Sequence, residues 1–475
     1  MKRFTTILTL VAALAFIAAA PPGAYAESPV TFSGYLRIRT IAMGNFFPDQ
    51  GNASERYREM DKVGDRYAVS RLRLNVVFKP NDNLEIRWRA QGPSAARFGT
   101  TNSRTDSTLY STYFYGLVKT DWGNLSVGRI SSNFDSAGLQ TLGYLPSWGF
   151  SAYGLIFDRD SENDGIMYTN EWDNGFGLKA IYMKRAHLVP NAIAGEFNAD
   201  ADYDRMSIEP YYKWDTGAAS LALQYDRNMY NFASNGIDIG AVDTNVQENY
   251  LVSINPALIQ SWKLSDDKSV TLHAEAKYSF GHRKAGPIDG VEQRSIKQEG
   301  FGAYVDFTLG YPQGTASLAG WYFTGNDSGP GYVQGSNWKD RGMVNPGEGF
   351  YPFIMFYYGT YSFVGGATNL EGFQRPGHWA LAILGNHKLN DYLTLNYGLG
   401  TFRKTSDYYI TPTSKASRSL GNEVNLGVTV KILDNLTWQS KLGLFDAGDY
   451  YSDRYDRPDF DRTLWGWANE FLFSF

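Results

Sequence analysis

The chain has 475 residues, a formal net charge of −5, no cysteine, and an aromatic content of 16% that includes 33 tyrosines. Without cysteine there can be no disulfide, no thiolate metal site and no covalent haem attachment, and a mildly acidic balance gives no electrostatic footprint for nucleic acid. Beyond residue 26 no apolar run approaches the roughly 20 residues that a spanning helix needs, so a helical membrane protein is excluded as well.

The first element is an export signal. Lys2 and Arg3 precede an apolar run over 7–20, then Pro21, Pro22 and Gly23 break the run and Ala24-Tyr25-Ala26 supplies the small-x-small triplet. This order predicts a signal peptide over residues 1–26, cut after Ala26.

From Val30 onward the pattern is strict alternation of apolar and polar residues. The clearest case places Leu72, Leu74, Val76 and Phe78 on one face and Arg71, Arg73 and Asn75 on the other. After a turn at 80–83, Leu84, Ile86 and Trp88 alternate with Glu85, Arg87 and Arg89. Eight tight turns follow from the sequence, at 80–83, 120–124, 172–175, 215–217, 266–268, 311–314, 390–391 and 434–435. Between them lie nine long segments rich in Gly, Asn, Asp, Ser and Tyr, at 43–66, 92–107, 131–163, 188–202, 231–246, 284–293, 326–373, 405–417 and 448–461. Short connections at one end and long ones at the other are the asymmetry of a transmembrane antiparallel up-and-down β-barrel. The count gives about 18 strands, with 16 as the alternative, in one barrel over residues 27–475. The weakest strand is the one interrupted by Pro256.

If the apolar residues face lipid, their alternates face the lumen. Arg37, Arg39, Arg71, Arg73, Arg87 and Arg89 then form a basic wall on three neighbouring strands, and Arg129 on the fifth is expected to join it. Later strands carry mixed sets such as Arg205, Glu209 and Lys213, or His273, Glu275 and Lys277, with Asp226 and Asp306 also inward. His273-x-Glu275 is too sparse to be a metal site, and no metal or cofactor is expected. No Ser/His or paired-acid constellation points to catalysis.

The chain ends on Trp465, Trp467, Phe471, Phe473 and Phe475, alternating to an aromatic last residue. That closing strand resembles the signal read by the outer-membrane assembly machinery. The early Arg-bearing strands, Gly128-Arg129 and the long third loop 131–163 resemble the layout of trimeric general diffusion porins. By that resemblance the loop folds inward, and its acids Asp135, Asp158, Asp160, Glu162 and Asp164 form a constriction opposite the arginines. The strand count and the stretch from Gly421 to Asp449 are similar to alginate-export-like porins. These resemblances imply a passive channel for small hydrophilic or anionic solutes in the cell outer membrane, assembled as a homotrimer and surrounded by outer-membrane lipid and lipopolysaccharide. The alternative they imply is a channel dedicated to an anionic polysaccharide. The role of the long segment 326–373 stays open between a lid, a stacking surface and an external decoration.

Overall fold

The computed structural model describes residues 29–44, 66–92, 96–97, 110–131, 162–187, 202–228, 246–285, 295–325, 339–340, 353, 377–455 and 463–475. The predicted signal over 1–26 lies outside them. Within them the chain forms β1 (Val30–Gly44), β2 (Arg66–Asn81), β3 (Leu84–Gln91), β4 (Ala96–Arg97), β5 (Tyr110–Thr120), β6 (Gly123–Ser131) and β7 (Glu162–Glu171). Next come β8 (Phe176–His187), β9 (Asp202–Trp214), β10 (Gly217–Asn228), β11 (Val246–Ser265), β12 (Lys268–Ala285), β13 (Ser295–Tyr311) and β14 (Gly314–Phe323). The chain finishes with β15 (Lys339–Asp340), β16 (His378–Lys388), β17 (Leu393–Lys404), β18 (Ser419–Leu433), β19 (Leu436–Ala447), helix α1 (Asp449–Tyr455) and β20 (Thr463–Ser474).

β4 and β15 are two-residue ladders against β2 and β13. The remaining strands pair antiparallel with their chain neighbours, and β1 pairs with β20, so the sheet is a closed barrel of eighteen strands. Closure follows from the solvent. In hydrocarbon every backbone N–H and C=O needs a partner within the protein, and an open sheet edge would leave a row of them unpaired. The seam is tied at its end by reciprocal bonds, Gly34 N–H to the Phe475 carbonyl at 2.8 Å and Phe475 N–H to the Gly34 carbonyl at 3.1 Å.

Every tight turn expected from the sequence joins two paired strands. β2 ends at Asn81 and β3 starts at Leu84, and β18 ends at Leu433 with β19 starting at Leu436. At Asp82-Asn83 the Asn81 side chain accepts from the Asn83 N–H at 3.0 Å, a local bond that favours the turn over a continued strand. Pro256 does not break β11. Its ladder to β10 runs through Leu221↔Pro256, while the ladder to β12 skips from Ile254↔Tyr278 to Ala257↔Glu275. The missing N–H is absorbed by an unpaired step on one side only.

The outer face is apolar. Phe32, Leu36, Ile38, Val127, Ile166, Leu318, Leu381, Ile383, Leu399 and Leu426 all point away from the lumen and are exposed. Aromatic rings cluster toward both ends of this band, as rings with one apolar and one wet side prefer. Beside the tight turns Trp122 stacks on Tyr168 at 5.8 Å, Trp172 on Phe176 at 5.3 Å and Tyr212 on Trp214 at 5.9 Å. Toward the long connections Tyr225 meets Tyr250 at 6.4 Å, Tyr278 meets Phe280 at 5.6 Å and Phe301 meets Tyr322 at 6.2 Å. Phe471, Phe473 and Phe475 also face outward on the closing strand, with Trp438 stacked on Phe471 at 6.4 Å.

Candidate channel lining

The inner face carries the alternates of these apolar residues. Arg37 and Arg39 flank outward Ile38, Arg71 and Arg73 flank outward Leu72, and Arg87 and Arg89 flank Trp88. Register brings them together. Arg37 stands opposite Arg71, Arg73 opposite Gln91, Asn75 opposite Arg89, and Val77 opposite Arg87. The arginines therefore descend the wall from mid-height on β1 toward the tight-turn end of β3.

All but Arg71 are held by a specific partner. Arg39 donates to Glu470 Oε2 from Nε at 3.1 Å and Nη2 at 2.8 Å, and Arg37 Nε lies 3.7 Å from the same oxygen. Arg73 donates to Gln91 Oε1 at 3.1 and 2.7 Å. Arg89 donates to Asn75 Oδ1 at 2.7 Å and stacks over the Tyr113 ring at 4.3 Å. Arg71 Nε is buried with no hydrogen-bond partner among the described residues. Lower down, Glu85 is 1% exposed and receives Lys119 Nζ at 2.5 Å and Arg87 Nη2 at 2.6 Å, with Lys79 Nζ at 3.4 Å. Lys79 and Lys119 extend the arginine series to the tight-turn mouth. Neither stood out in the sequence, because a lone lysine beside a turn is the commonest surface residue there is. Lys441, buried on β19, adds another cation within electrostatic reach of Glu470 and Arg39.

The acids are arranged differently. Glu209, Asp226, Glu275 and Asp306 also face inward, on β9, β10, β12 and β13, and all are buried. Asp226 pairs with Arg205 at 2.7 Å and accepts from Gln224, and Asn255 donates to Glu275 at 3.2 Å. His273 Nδ1 lies 3.3 Å from Asp306, and Thr308 donates to the same carboxylate at 2.8 Å. In ring order β12 is the strand facing β2. The basic wall therefore confronts a wall whose acids are buried. The side chains of Arg87, Lys119 and Lys79 remain 38%, 40% and 56% exposed, against 0% for Glu275 and 1% for Asp306.

Two expected lining residues are elsewhere. Arg129 pairs with Phe114, an outward ring 57% exposed, and shares the face of Val127. Asp164 pairs with Arg129 and shares the face of outward Ile166. Both side chains point out of the barrel, which corrects the expectation that they line it. The two-residue period leaves no choice, since Ser126 and Ile130 occupy the inner face of β6. Gly128 lies between them in a φ of +130°, and a Cβ there would stand 2.5 Å from the Phe114 carbonyl oxygen. Glu162 opens β7 opposite Ser131, but its side chain is outside the described residues, as are Asp135, Asp158 and Asp160.

Two apolar features on the inner wall went unseen in the sequence. Ile130, Ile181 and Met183 form a buried cluster with Tyr115 and Met167 beside the basic wall. On the far side, Phe353 from between β14 and β16 is fully buried, 6.5 Å from Trp321 and 5.2 Å edge-on to Phe402. Rings continue from Phe402 to Phe445 at 6.4 Å, Tyr451 at 6.4 Å and Tyr450 at 5.3 Å on α1. At this one residue the longest connection reaches inside the barrel rather than decorating its exterior.

No helix among the described residues is long and apolar enough to cross a membrane, and the crossing is made by strands. Eighteen strands leave room for a water-filled passage, and a polar inner face within an apolar outer band defines a transmembrane β-barrel channel. A profile of the Gram-negative porin family matches residues 11–258, and the chain belongs to that family. It is a porin of the outer membrane. No curated protein sequence matches the chain. Among solved structures it is similar to Pseudomonas aeruginosa OpdQ, with a TM-score of 0.51 and 12% identity over 94% of this chain and 97% of that one. It is also similar to Acinetobacter baumannii OccAB3, with a TM-score of 0.50 and 11% identity over 94% of this chain and 99% of that one. Pseudomonas aeruginosa OpdL gives a TM-score of 0.50 and 12% identity over 94% and 98%. At such identities the likeness is one of fold.

Proposed function

We propose that this porin passes small hydrophilic solutes by diffusion, with a preference for anions, and performs no catalysis. The observation that carries the reading is the difference in exposure between the two walls. Lys79, Arg87 and Lys119 on β2, β3 and β5 keep donors open toward the lumen, while the acids opposite are enclosed. Field lines in a low-dielectric passage are set by charges that water has not neutralised, so a small anion meets successive donors at Arg87, Lys119 and Lys79. The acids Asp135, Asp158, Asp160 and Glu162 belong to this proposal as the negative side of a narrowing. Their conversion to amides raises anion preference further, and no change removes them from the pore. Phe471, Phe473 and Phe475 are proposed as the strand recognised by the assembly machinery, and the functional unit as a homotrimer in lipopolysaccharide-bearing membrane.

The testing experiment is the conductance of purified protein in a planar bilayer, with the reversal potential read across a KCl gradient. Persistent steps with chloride preference support the reading, and cation preference overturns it. The unbroken basic descent favours one second reading, a conduit for an anionic polysaccharide. Small steps blocked by such a polymer would select it.

A further inference from the structure

We propose that the inner wall of β14 and β16–β19, at the tight-turn end, holds a binding arc for an uncharged polyhydroxylated solute the size of a hexose. Register sets two rows. Thr315 pairs with Asn386 and Asn386 with Asn396, across β14, β16 and β17. Thr394 pairs with Thr429 and Thr429 with Gln439, across β17, β18 and β19. These residues alternate with outward Leu318, Ile383, Leu395, Leu426 and Leu442, so they face the lumen, and each is half-buried. Asn386 Nδ2 donates to Thr315 Oγ1 at 2.8 Å, and Asn396 Nδ2 donates to Thr429 Oγ1 at 3.0 Å, which joins the rows. Both amide oxygens are left without a partner among the described residues.

Both rows are uncharged. Toward the same end of the barrel, β2, β3 and β5 carry Lys79, Arg87 and Lys119. On this arc the lysines nearest the mouth are tied to acids of their own turns, Lys388 to Asp391 at 2.8 Å and Lys431 to Asp434 at 2.6 Å. The next charges up the wall, Lys441 and Glu470, are 5% and 3% exposed. What such an arc selects follows from its donors and acceptors. Lysine and arginine only donate and a carboxylate only accepts, whereas a hydroxyl or a primary amide does both. A sugar hydroxyl is also donor and acceptor, so every position of the arc can meet one, while an ion finds no counter-charge there. The wall recedes at the same place. Gly398, two positions along from Asn396, and Gly427, paired with Asn396, carry no side chain to fill the space beside it. Above them Asn425, paired with Gly398, keeps a buried Oδ1 with no hydrogen-bond partner among the described residues. The proposal rests on the open-channel reading and adds to the anion route a separate one for neutral solutes.

The test records single channels of the full-length protein in a planar bilayer at constant KCl, with glucose or tetraethylene glycol added. Both probes are uncharged and close in mass, but the second carries hydroxyls only at its ends. Wild type is expected to show open-channel noise that saturates with glucose and is absent with tetraethylene glycol. Asn386→Ala/Asn396→Ala is expected to raise the half-saturating glucose concentration at least about fivefold. Should that pair not insert, Gln439→Ala is expected to raise it about twofold. Equal noise from the two probes would mean exclusion by size alone and overturns the proposal, as does an unchanged half-saturation in the variants. A loss in Arg87→Gln as large as in the paired variant assigns glucose to the basic wall and overturns it too. Absent wild-type conductance removes the channel reading by itself. Saturation-transfer NMR from protein folded in a sugar-free detergent to glucose then decides this one, weaker transfer in the paired variant supporting it and equal transfer overturning it.

Discussion

The Phe353 ring occupies the space above Gly400, and a Cβ at position 400 would stand 2.5 Å from Phe353 Cζ and 3.1 Å from Phe402 Cζ. Gly400 faces Ala382 on β16 and Glu423 on β18, so the wall is thinned at the point where the ring enters. Gly400→Ala is therefore expected to destabilise the barrel by about 1–3 kcal/mol through overpacking. Phe353→Ala is expected to cost about 3 kcal/mol as a buried ring is lost. In the Phe353→Ala background the Gly400→Ala change becomes nearly neutral. Denaturant unfolding of the four proteins in lipid vesicles gives the cycle, and additive effects would show that the ring does not rest on Gly400.

Charge exposure makes opposite predictions for two glutamates. Glu85→Gln releases Lys79, Arg87 and Lys119 from their shared carboxylate and is expected to raise chloride preference severalfold. Glu275→Gln removes a carboxylate that is fully enclosed and leaves the reversal potential unchanged. A larger shift for Glu275→Gln than for Glu85→Gln would mean that the acidic wall, not the basic one, faces the permeant ions.

The chain contains no cysteine, so single cysteines report orientation without background. A charged thiol reagent added to channels carrying Arg73→Cys is expected to change the current within seconds to minutes. The same reagent acting on Arg129→Cys leaves the current as it was, because that side chain is outside the barrel. Modulation at position 129 comparable with that at 73 would contradict the outward placement.

Glu470 links Arg37 and Arg39 across the seam between β20 and β1, and its side chain is 4% exposed. Glu470→Gln leaves two enclosed guanidinium groups short of their counter-charge, which in buried pairs costs about 3–5 kcal/mol. The expected readout is a lower denaturant midpoint with the seam's amide protons exchanging first, and an unchanged midpoint would assign the cluster a purely electrostatic role in the pore.

In the connection between β17 and β18, Asp407 accepts from Lys415 at 2.5 Å and from Arg418 Nη2 at 2.6 Å. These partners hold its carboxyl below the usual aspartate value, the Lys415 bond contributing most. A depressed carboxylate stabilises its surroundings fully above the unfolded pKa and loses that contribution as pH falls through the folded one. The small ladder at Tyr409↔Lys415 is thus expected to stay closed at neutral pH and to loosen only below about pH 4. Asp407→Asn abolishes the pH step. Hydrogen exchange of 405–418 between pH 6 and pH 3 measures both.

Much of the barrel could be read from the chain because its two determinants are local. Asn81 and Asn390 accept from the backbone of their own turns, and apolar residues on every second position, as in β2, declare the lipid side. Register was less legible, since it is set by pairs far apart in sequence. No local signal announces that Arg37 faces Arg71, or that Lys119 reaches Glu85 across 34 positions. Arg129 lies two positions from outward Val127, so the local period carries it out of the barrel and not into the wall it was expected to join. Phe353 was invisible because its neighbours Trp321, Phe402 and Gly400 come from two distant strands, β14 and β17, and a phenylalanine amid Gly and Tyr has no periodicity to declare it buried.

The bond from Arg39 to Glu470 spans 431 positions, and the reciprocal pair at Gly34 and Phe475 spans still more. A chain sealed by its own first and last strands cannot complete itself while it is being made. Any truncated intermediate exposes two unsatisfied ribbons of amides, which water tolerates and acyl chains do not. Contacts this distant also form slowly. Closure therefore waits on β20: without it β1 and β19 would each present an unpaired edge to the acyl band.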